Sequence, residues 1–277
     1  MVMDRTLFFG LIWPFFLFSQ INPVSQEPDS LLEVLVQWNQ KGRFSKVLKY
    51  LRTEKKHVRD AKKGVFMVEY AKAFQGLNAT DSAFFYYTKA LRDFENRDIP
   101  ELIAETNLEI SDLLETQNNL DIDHSTYFEK FWDYATTVKN PYLLGKGHNY
   151  LGRKTYLDGN PVVPLRHFDK AYEYFKQADS TSSAVTNLMN MGAVYSYRIE
   201  KIDSARYYYF RAMDLLKSYG VLHKYSNKHH DLLNNIGNTY RRDKKYLKAL
   251  EFYKQAETLR VKKYQAKTKK ILYGIMD

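Results

Sequence analysis

The chain has 277 residues, with 42 lysines and arginines against 32 aspartates and glutamates, and it contains no cysteine. The lack of cysteine excludes a disulfide framework, a thiolate metal site, an iron–sulfur cluster and a cysteine nucleophile. A hydrophobic fraction of 44% and a charged fraction of 27% are ordinary for a globular protein, so the composition argues against global disorder.

Residues 1–25 have the layout of a secretory signal peptide. A short, weakly basic start precedes the apolar run LFFGLIWPFFLF at 7–18, and a polar stretch follows it. The run is shorter than the roughly 20 residues that a membrane-spanning helix needs, and Pro14 interrupts it. We therefore expect an exported protein, periplasmic or associated with the envelope. An uncleaved anchor, which would tie this end to the membrane, is the alternative.

Residues 26–277 show a helical pattern, because apolar residues recur at spacings of three and four with little strict alternation. A longer repeat overlies this pattern. A small residue is followed twelve positions later by a second small residue or a proline, and four positions after that by an aromatic residue. The clearest copies are Ala71, Ala83 and Tyr87; Gly152, Pro164 and Phe168; Gly237, Ala249 and Tyr253; and, with one extra residue in the turn, Gly192, Ala205 and Tyr209.

The repeat predicts an all-α chain of six helical hairpins followed by a terminal helix at 263–277. Small residues let the two helices of a hairpin approach closely, and large aromatic residues fill the space between hairpins. One hairpin is too small to bury its own apolar face, so stacking of hairpins makes the core. The predicted hairpins occupy residues 29–63, 64–99, 100–140, 141–181, 182–226 and 227–262.

This pattern resembles the tetratricopeptide repeat, a helical pair of about 34 residues. The best copy runs from Asn235 to Ala256, with Gly237, Tyr240 and Ala249 at the family's positions. The spacing here is longer, the family's terminal proline is mostly absent, and Pro164 replaces an alanine. The resemblance, to exported bacterial members in particular, implies a right-handed superhelical solenoid of about six hairpins with a C-terminal capping helix.

The resemblance also implies a concave groove, lined by the first helix of each hairpin, that holds a peptide or a partner's helix. Asparagine amides and basic side chains suit a peptide backbone and a carboxylate. Unit three places Glu105, Asp112 and Glu115 in the groove, which predicts an acidic middle and a basic C-terminal part. Plain solvated helix faces are the alternative. The candidate groove residues carried over from the family are Lys146, Asn149, Arg153, Tyr156, Asn234, Asn238 and Arg241.

No motif for catalysis or for a cofactor is present. The segment Gly145 to Gly147 is too short for a phosphate-binding loop. His223, His229 and His230 cluster ahead of unit six, but neither a cysteine nor a spaced carboxylate completes a metal site, so a solvated linker is favoured. We predict a non-enzymatic protein-binding scaffold with no catalytic, cofactor or metal residues.

The positive charge lies at the C-terminal end. Residues 239–277 carry twelve basic and four acidic side chains, which accounts for eight of the ten net positive charges. Nucleic-acid binding through this end is disfavoured, because the chain has an export signal and no base-stacking motif. The alternative function is the sensor region of a bacterial signalling receptor, truncated before its membrane span and output domain, by analogy with exported repeat regions of such receptors.

Overall fold

The computed structural model describes residues 30–54, 63–115, 124–220 and 226–273, and these residues form α-helices and turns without any strand. Successive helices pair as six hairpins, which confirms the predicted all-α helical repeat. The helices are α1 (Ser30–Gln40), α2 (Phe44–Glu54), α3 (Lys63–Gly76), α4 (Thr80–Asn96), α5 (Pro100–Glu115), α6 (His124–Val138), α7 (Pro141–Lys154), α8 (Val162–Gln177), α9 (Thr181–Tyr197), α10 (Ile202–Ser218), α11 (Ser226–Arg242) and α12 (Tyr246–Tyr273).

The tight turns inside the hairpins share one backbone arrangement. In the second hairpin Asn78 takes a left-handed conformation with φ of 56°, and the N–H of Ala79 donates to the carbonyl of Phe74 at 2.9 Å. This bond satisfies a carbonyl that the end of a helix would otherwise leave unpaired. In the fifth hairpin the equivalent bond, from Lys201 to Tyr195 at 2.9 Å, spans one residue more. The extra residue that the sequence indicated there is therefore absorbed by the turn.

In the second, fourth, fifth and sixth hairpins a glycine of the first helix faces an aromatic ring of the second helix. A Cβ added to Gly192 would lie 2.6 Å from the Tyr209 ring, and one added to Gly152 would lie 2.5 Å from the Phe168 ring. We expected the glycine to lie against a small residue. Instead, the glycine has no side chain and so makes room for an aromatic ring of the second helix. That ring comes four residues after the small residue or proline that we expected to face the glycine.

The hairpins stack into a row whose core is continuous along the C-terminal half. One buried cluster extends from Phe168 on α8 to Ala256 on α12. First helices of neighbouring hairpins touch at α1–α3, α5–α7 and α9–α11, while second helices of neighbouring hairpins meet only sparsely within the described residues. The first helices therefore lie on the inner side of the row, and we call their shared exposed surface the groove.

The C-terminal end differs from the prediction. Residues 263–273 continue α12, which is a single helix of 28 residues, so the separate terminal helix predicted from residue 263 is wrong. The sequence from Tyr246 to Tyr273 contains neither glycine nor proline, so nothing in it ends the helix. No helix in the described part of the chain is long and apolar enough to cross a membrane. The predicted signal segment, residues 1–25, lies outside the described residues.

Replacing Gly192 with alanine is expected to lower the free energy of unfolding by about 1–3 kcal/mol, because the Tyr209 ring is buried and cannot move aside. This loss outweighs the roughly 1 kcal/mol by which alanine favours a helix over glycine. Urea unfolding followed by circular dichroism measures the change. Gly159→Ala is the matched control, because no atom lies within 4 Å of the added carbon. Equal stability of both variants would contradict the close packing.

Candidate functional site

A cavity of about 200 Å³ opens on the groove between α5, α7 and α9. Its apolar wall is formed by Leu108 from α5, Tyr142 from α7 and Phe175 from α8. Polar side chains of the three first helices complete the lining. Three of the predicted groove residues are among them, namely Lys146, Asn149 and Arg153.

Lys146 bridges two carboxylates of the neighbouring hairpin. Its ammonium lies 3.3 Å from an oxygen of Glu105 and 3.8 Å from an oxygen of Glu109, and 20% of its side chain is exposed. Burial alone would lower the pKa of Lys146, but the two carboxylates raise it above its ordinary value. The ammonium is therefore held charged and fixed in position at the edge of the cavity.

Two further ion pairs cross the same interface between α7 and α5. Nη2 of Arg153 lies 2.8 Å from an oxygen of Asp112, and Lys154 lies 3.4 Å from Glu115. The acidic residues of unit three thus meet the basic residues of unit four directly. The expected separation into an acidic middle and a basic C-terminal part is wrong here, because neighbouring first helices pack close enough for their charges to pair.

The amides at the cavity form a chain across two hairpins. The Asn149 side chain donates to the Asn187 amide oxygen at 3.1 Å, and the Asn187 side chain donates to the Ser183 carbonyl at 2.9 Å. Asn187 is itself buried. This contact fixes the orientation of the Asn149 amide, which is a suitable partner for an extended peptide backbone.

The predicted groove residues of unit six do not line the cavity. The Asn234 amide lies 3.3 Å from the His230 ring nitrogens, and the amide oxygen of Asn238 accepts a hydrogen bond from Tyr253 at 2.8 Å. Arg241 is exposed and forms no ion pair within the described ranges. These side chains are therefore about one hairpin away from the candidate site.

Tyr156 also lies elsewhere. It belongs to a short 3-10 turn at Thr155–Leu157 that follows α7, and its ring packs against the core cluster. Burial raises the pKa of Tyr156, with Arg198 acting in the opposite direction. Because α7 ends at Lys154, two residues before Tyr156, the tyrosine does not continue the groove face of that helix.

Lys228 is a site residue that the sequence did not indicate. It lies in the first turn of α11, and its ammonium donates to the Thr186 hydroxyl, which lines the cavity. Burial lowers the pKa of Lys228, and Asp231 only partly offsets that effect. Lys228 lies inside the predicted sixth hairpin, 227–262, but ahead of Asp231, the first residue of that unit that the family's pattern places in the groove. The only signal was its place one helical turn before Asp231 on the same face.

Within the described ranges no three histidines, aspartates or glutamates are close enough to hold a metal ion. His223, part of the cluster noted in the sequence, lies outside those ranges. His148 and His167 do form a pair, with their Nδ1 atoms 3.1 Å apart. This pair is embedded in the fourth hairpin, away from the cavity lining.

No protein-family model matches the sequence, and no curated protein matches it either. Solved structures show similarity at the level of the fold. BtubC from P. vanneervenii superposes with a TM-score of 0.58 at 15% identity, covering 85% of this chain and 93% of that one. A Rap protein in complex with competence and sporulation factor gives a TM-score of 0.55 at 16% identity, covering 83% and 73%.

A third similar structure is the STAND signal-transduction ATPase of Pyrococcus horikoshii, which carries a tetratricopeptide repeat sensor. The TM-score is 0.57 at 16% identity, and the match covers 90% of this chain but 43% of that one. Identities this low speak to architecture only. The fold of the described residues is a tetratricopeptide-like helical repeat.

Proposed function

We propose that this tetratricopeptide-like solenoid is a non-enzymatic scaffold that binds a peptide segment or a partner's helix in its groove. The observation that carries the proposal is the cavity between α5, α7 and α9, where an apolar wall meets ordered polar side chains. The similar Rap protein was solved in complex with competence and sporulation factor, which agrees with ligand binding by this architecture.

The cavity has the features of a site for one large apolar side chain of a bound peptide. Leu108, Tyr142 and Phe175 offer it an apolar surface, and the Asn149 amide at the rim can bond the adjacent backbone. Lys146 and Arg153 are already held by carboxylates of α5. Because these side chains are ordered before binding, little entropy is lost in fixing them.

Asn149→Ala is expected to weaken binding of groove-directed peptides about tenfold, the loss of one hydrogen bond of roughly 1.4 kcal/mol. Peptides are first selected from a displayed random library against the purified chain, and their affinities are then measured by calorimetry. Asn96→Ala is the control, because Asn96 is exposed at the end of a second helix. Selected peptides that bind both variants as tightly as the parent chain would contradict binding at this site.

A second candidate is the sensor region of a bacterial signalling receptor. The fold similarity to the tetratricopeptide repeat sensor of the P. horikoshii protein favours it. Sequencing the coding region that surrounds this chain tests the idea. A reading frame that continues into a membrane span and an output domain supports a sensor, whereas a stop codon followed by an unrelated gene contradicts it.

We also propose that the protein is exported, on the basis of the apolar run in residues 1–25. Expression in a bacterial host followed by cell fractionation and N-terminal sequencing tests this. A shortened chain in the periplasm supports cleavage, and an intact chain in the membrane fraction supports an anchor. An intact chain confined to the cytoplasm contradicts export.

A further inference from the structure

Lys228 differs from three other cations on the first helices of the hairpins. Lys72 pairs with Glu69 at 3.2 Å, Lys146 with Glu105 at 3.3 Å and Arg153 with Asp112 at 2.8 Å. The Lys228 ammonium has no carboxylate within ion-pair distance among the residues that the structure describes, and it donates to a neutral hydroxyl on Thr186.

The surroundings of Lys228 explain why no carboxylate reaches it. The facing helix α9, Thr181–Tyr197, contains no charged residue at all, and the preceding residues 221–225 contain no acid. The nearest acid along α11 is Asp231, which is exposed and lies 3.2 Å from the His230 ring. Arg241 also forms no ion pair within the described ranges, but its exposed side chain is solvated by water.

The position of the charged Lys228 side chain is energetically unfavourable in the unbound protein. Lys228 is half-buried, and burial of a charge without a counter-charge is unfavourable. The residue also lies in the first turn of α11, where the helix dipole disfavours a positive charge. Within the described residues only the Thr186 hydroxyl and a partial effect of Asp231 offset this cost, and local rules broken in this way are typical of functional positions.

A hydrogen bond to Thr186 fixes the position of the Lys228 ammonium. The Thr186 hydroxyl donates to the Ser182 carbonyl at 3.0 Å and accepts from Lys228, so the hydroxyl holds the ammonium in place. An ammonium has three N–H donors, and Thr186 uses one of them. Because Thr186 also lines the cavity, the Lys228 ammonium lies one hydrogen bond from the cavity wall, and two of its donors remain for a ligand.

We propose that Lys228, positioned by Thr186, is an anion subsite of the groove that takes the carboxylate of an acidic side chain in the bound peptide. The inference rests on the proposed function and names the chemistry of its ligand. The peptide then combines a large apolar residue, seated against Tyr142 and Phe175, with an aspartate or glutamate nearby.

Library selection against three forms of the full chain tests the subsite. With the parent chain, aspartate and glutamate are expected to be enriched at one position of the selected peptides. With Lys228→Met the enrichment disappears, and with Lys228→Glu it changes to lysine and arginine. Lys217→Glu is the control, because Lys217 is exposed on α10 and its change leaves the acidic preference intact. Thermal unfolding verifies that each variant folds.

Affinities of synthetic peptides complete the test. Replacing the selected acidic residue with its amide is expected to weaken binding to the parent chain about 10- to 100-fold, and binding to Lys228→Met by less than about twofold. Amidating the peptide C-terminus shows which carboxylate is bound. The affinity falls on amidation only if Lys228 binds the terminal carboxylate, and it stays unchanged if Lys228 binds a side-chain carboxylate.

The outcomes separate this inference from the proposed function. Peptides that depend on Asn149 but show no acidic preference, or a preference unchanged in both Lys228 variants, overturn the subsite and leave the scaffold in place. A dependence on the terminal carboxylate alone overturns the acidic side chain as the ligand. Failure to select any peptide that depends on Asn149 overturns both the scaffold and the subsite.

Discussion

Phe168→Ala is expected to lower the free energy of unfolding by about 3–5 kcal/mol. The Phe168 side chain is 1% exposed, belongs to the core cluster that runs from α8 to α12, and fills the space that Gly152 leaves open on α7. Truncation removes this apolar contact and leaves a cavity that the two packed helices cannot close. Chemical denaturation monitored by circular dichroism measures the change.

Phe85→Ala is the matched control for this experiment, because Phe85 on α4 is 50% exposed and is expected to cost less than about 1 kcal/mol. Gly152→Ala provides a further check. On its own it should be destabilising, whereas in the Phe168→Ala background the added carbon enters the new cavity and should cost less. Similar losses for Phe168→Ala and Phe85→Ala, or strictly additive losses for the pair, would refute the packing described for the fourth hairpin.

The second large effect is a loss of stability as the pH falls from about 6.5 to about 4, caused by His148. Burial, followed by the neighbouring His167 and Lys170, lowers the pKa of His148 from its usual 6.5 to about 4. The ring is 8% exposed, stacks on Tyr174 at 5.7 Å and meets the edge of Trp132 at 5.2 Å. Burial between these rings leaves an imidazolium poorly solvated at this position, which favours the neutral ring.

The direction follows from proton binding. Between these two pKa values the unfolded chain binds a proton at His148 and the folded chain does not, so acidification favours unfolding. The contribution is fully present above pH 6.5, falls as the pH drops, and is exhausted below the folded pKa of about 4. At 1.36 kcal/mol for each pKa unit, the shift amounts to about 3 kcal/mol.

His148→Phe isolates this contribution, since phenylalanine keeps a ring between Trp132 and Tyr174 but does not titrate. Denaturation at a series of pH values gives stability curves for the parent chain and the variant. The difference in the free energy of unfolding between the two proteins is expected to change by about 3 kcal/mol between pH 6.5 and pH 4. The variant His167→Phe should retain most of the dependence of stability on pH, because His148 stays buried in it. Parallel curves for the parent chain and His148→Phe would show that His148 is not responsible.

Much of the candidate site followed from the sequence, but its charge arrangement did not. Lys146, Asn149 and Arg153 share one face of a predicted helix, so helical periodicity alone brought them together. Their partners Glu105 and Asp112 are on another hairpin, and Lys146 and Glu105 are 41 residues apart in the chain. Pairing at that distance depends on how far one hairpin is shifted and rotated against the next, and no local pattern encodes this.

The sequence by itself determined the hairpins, because small and aromatic residues at fixed helical spacing specify how two adjacent helices pack. Only the tertiary structure decided the rest. It placed Tyr156 against the core rather than in the groove, and it brought Lys228 to Thr186, 42 residues away. These outcomes are set by the geometry between hairpins, where contacts join residues that are distant in the chain and follow no repeating spacing.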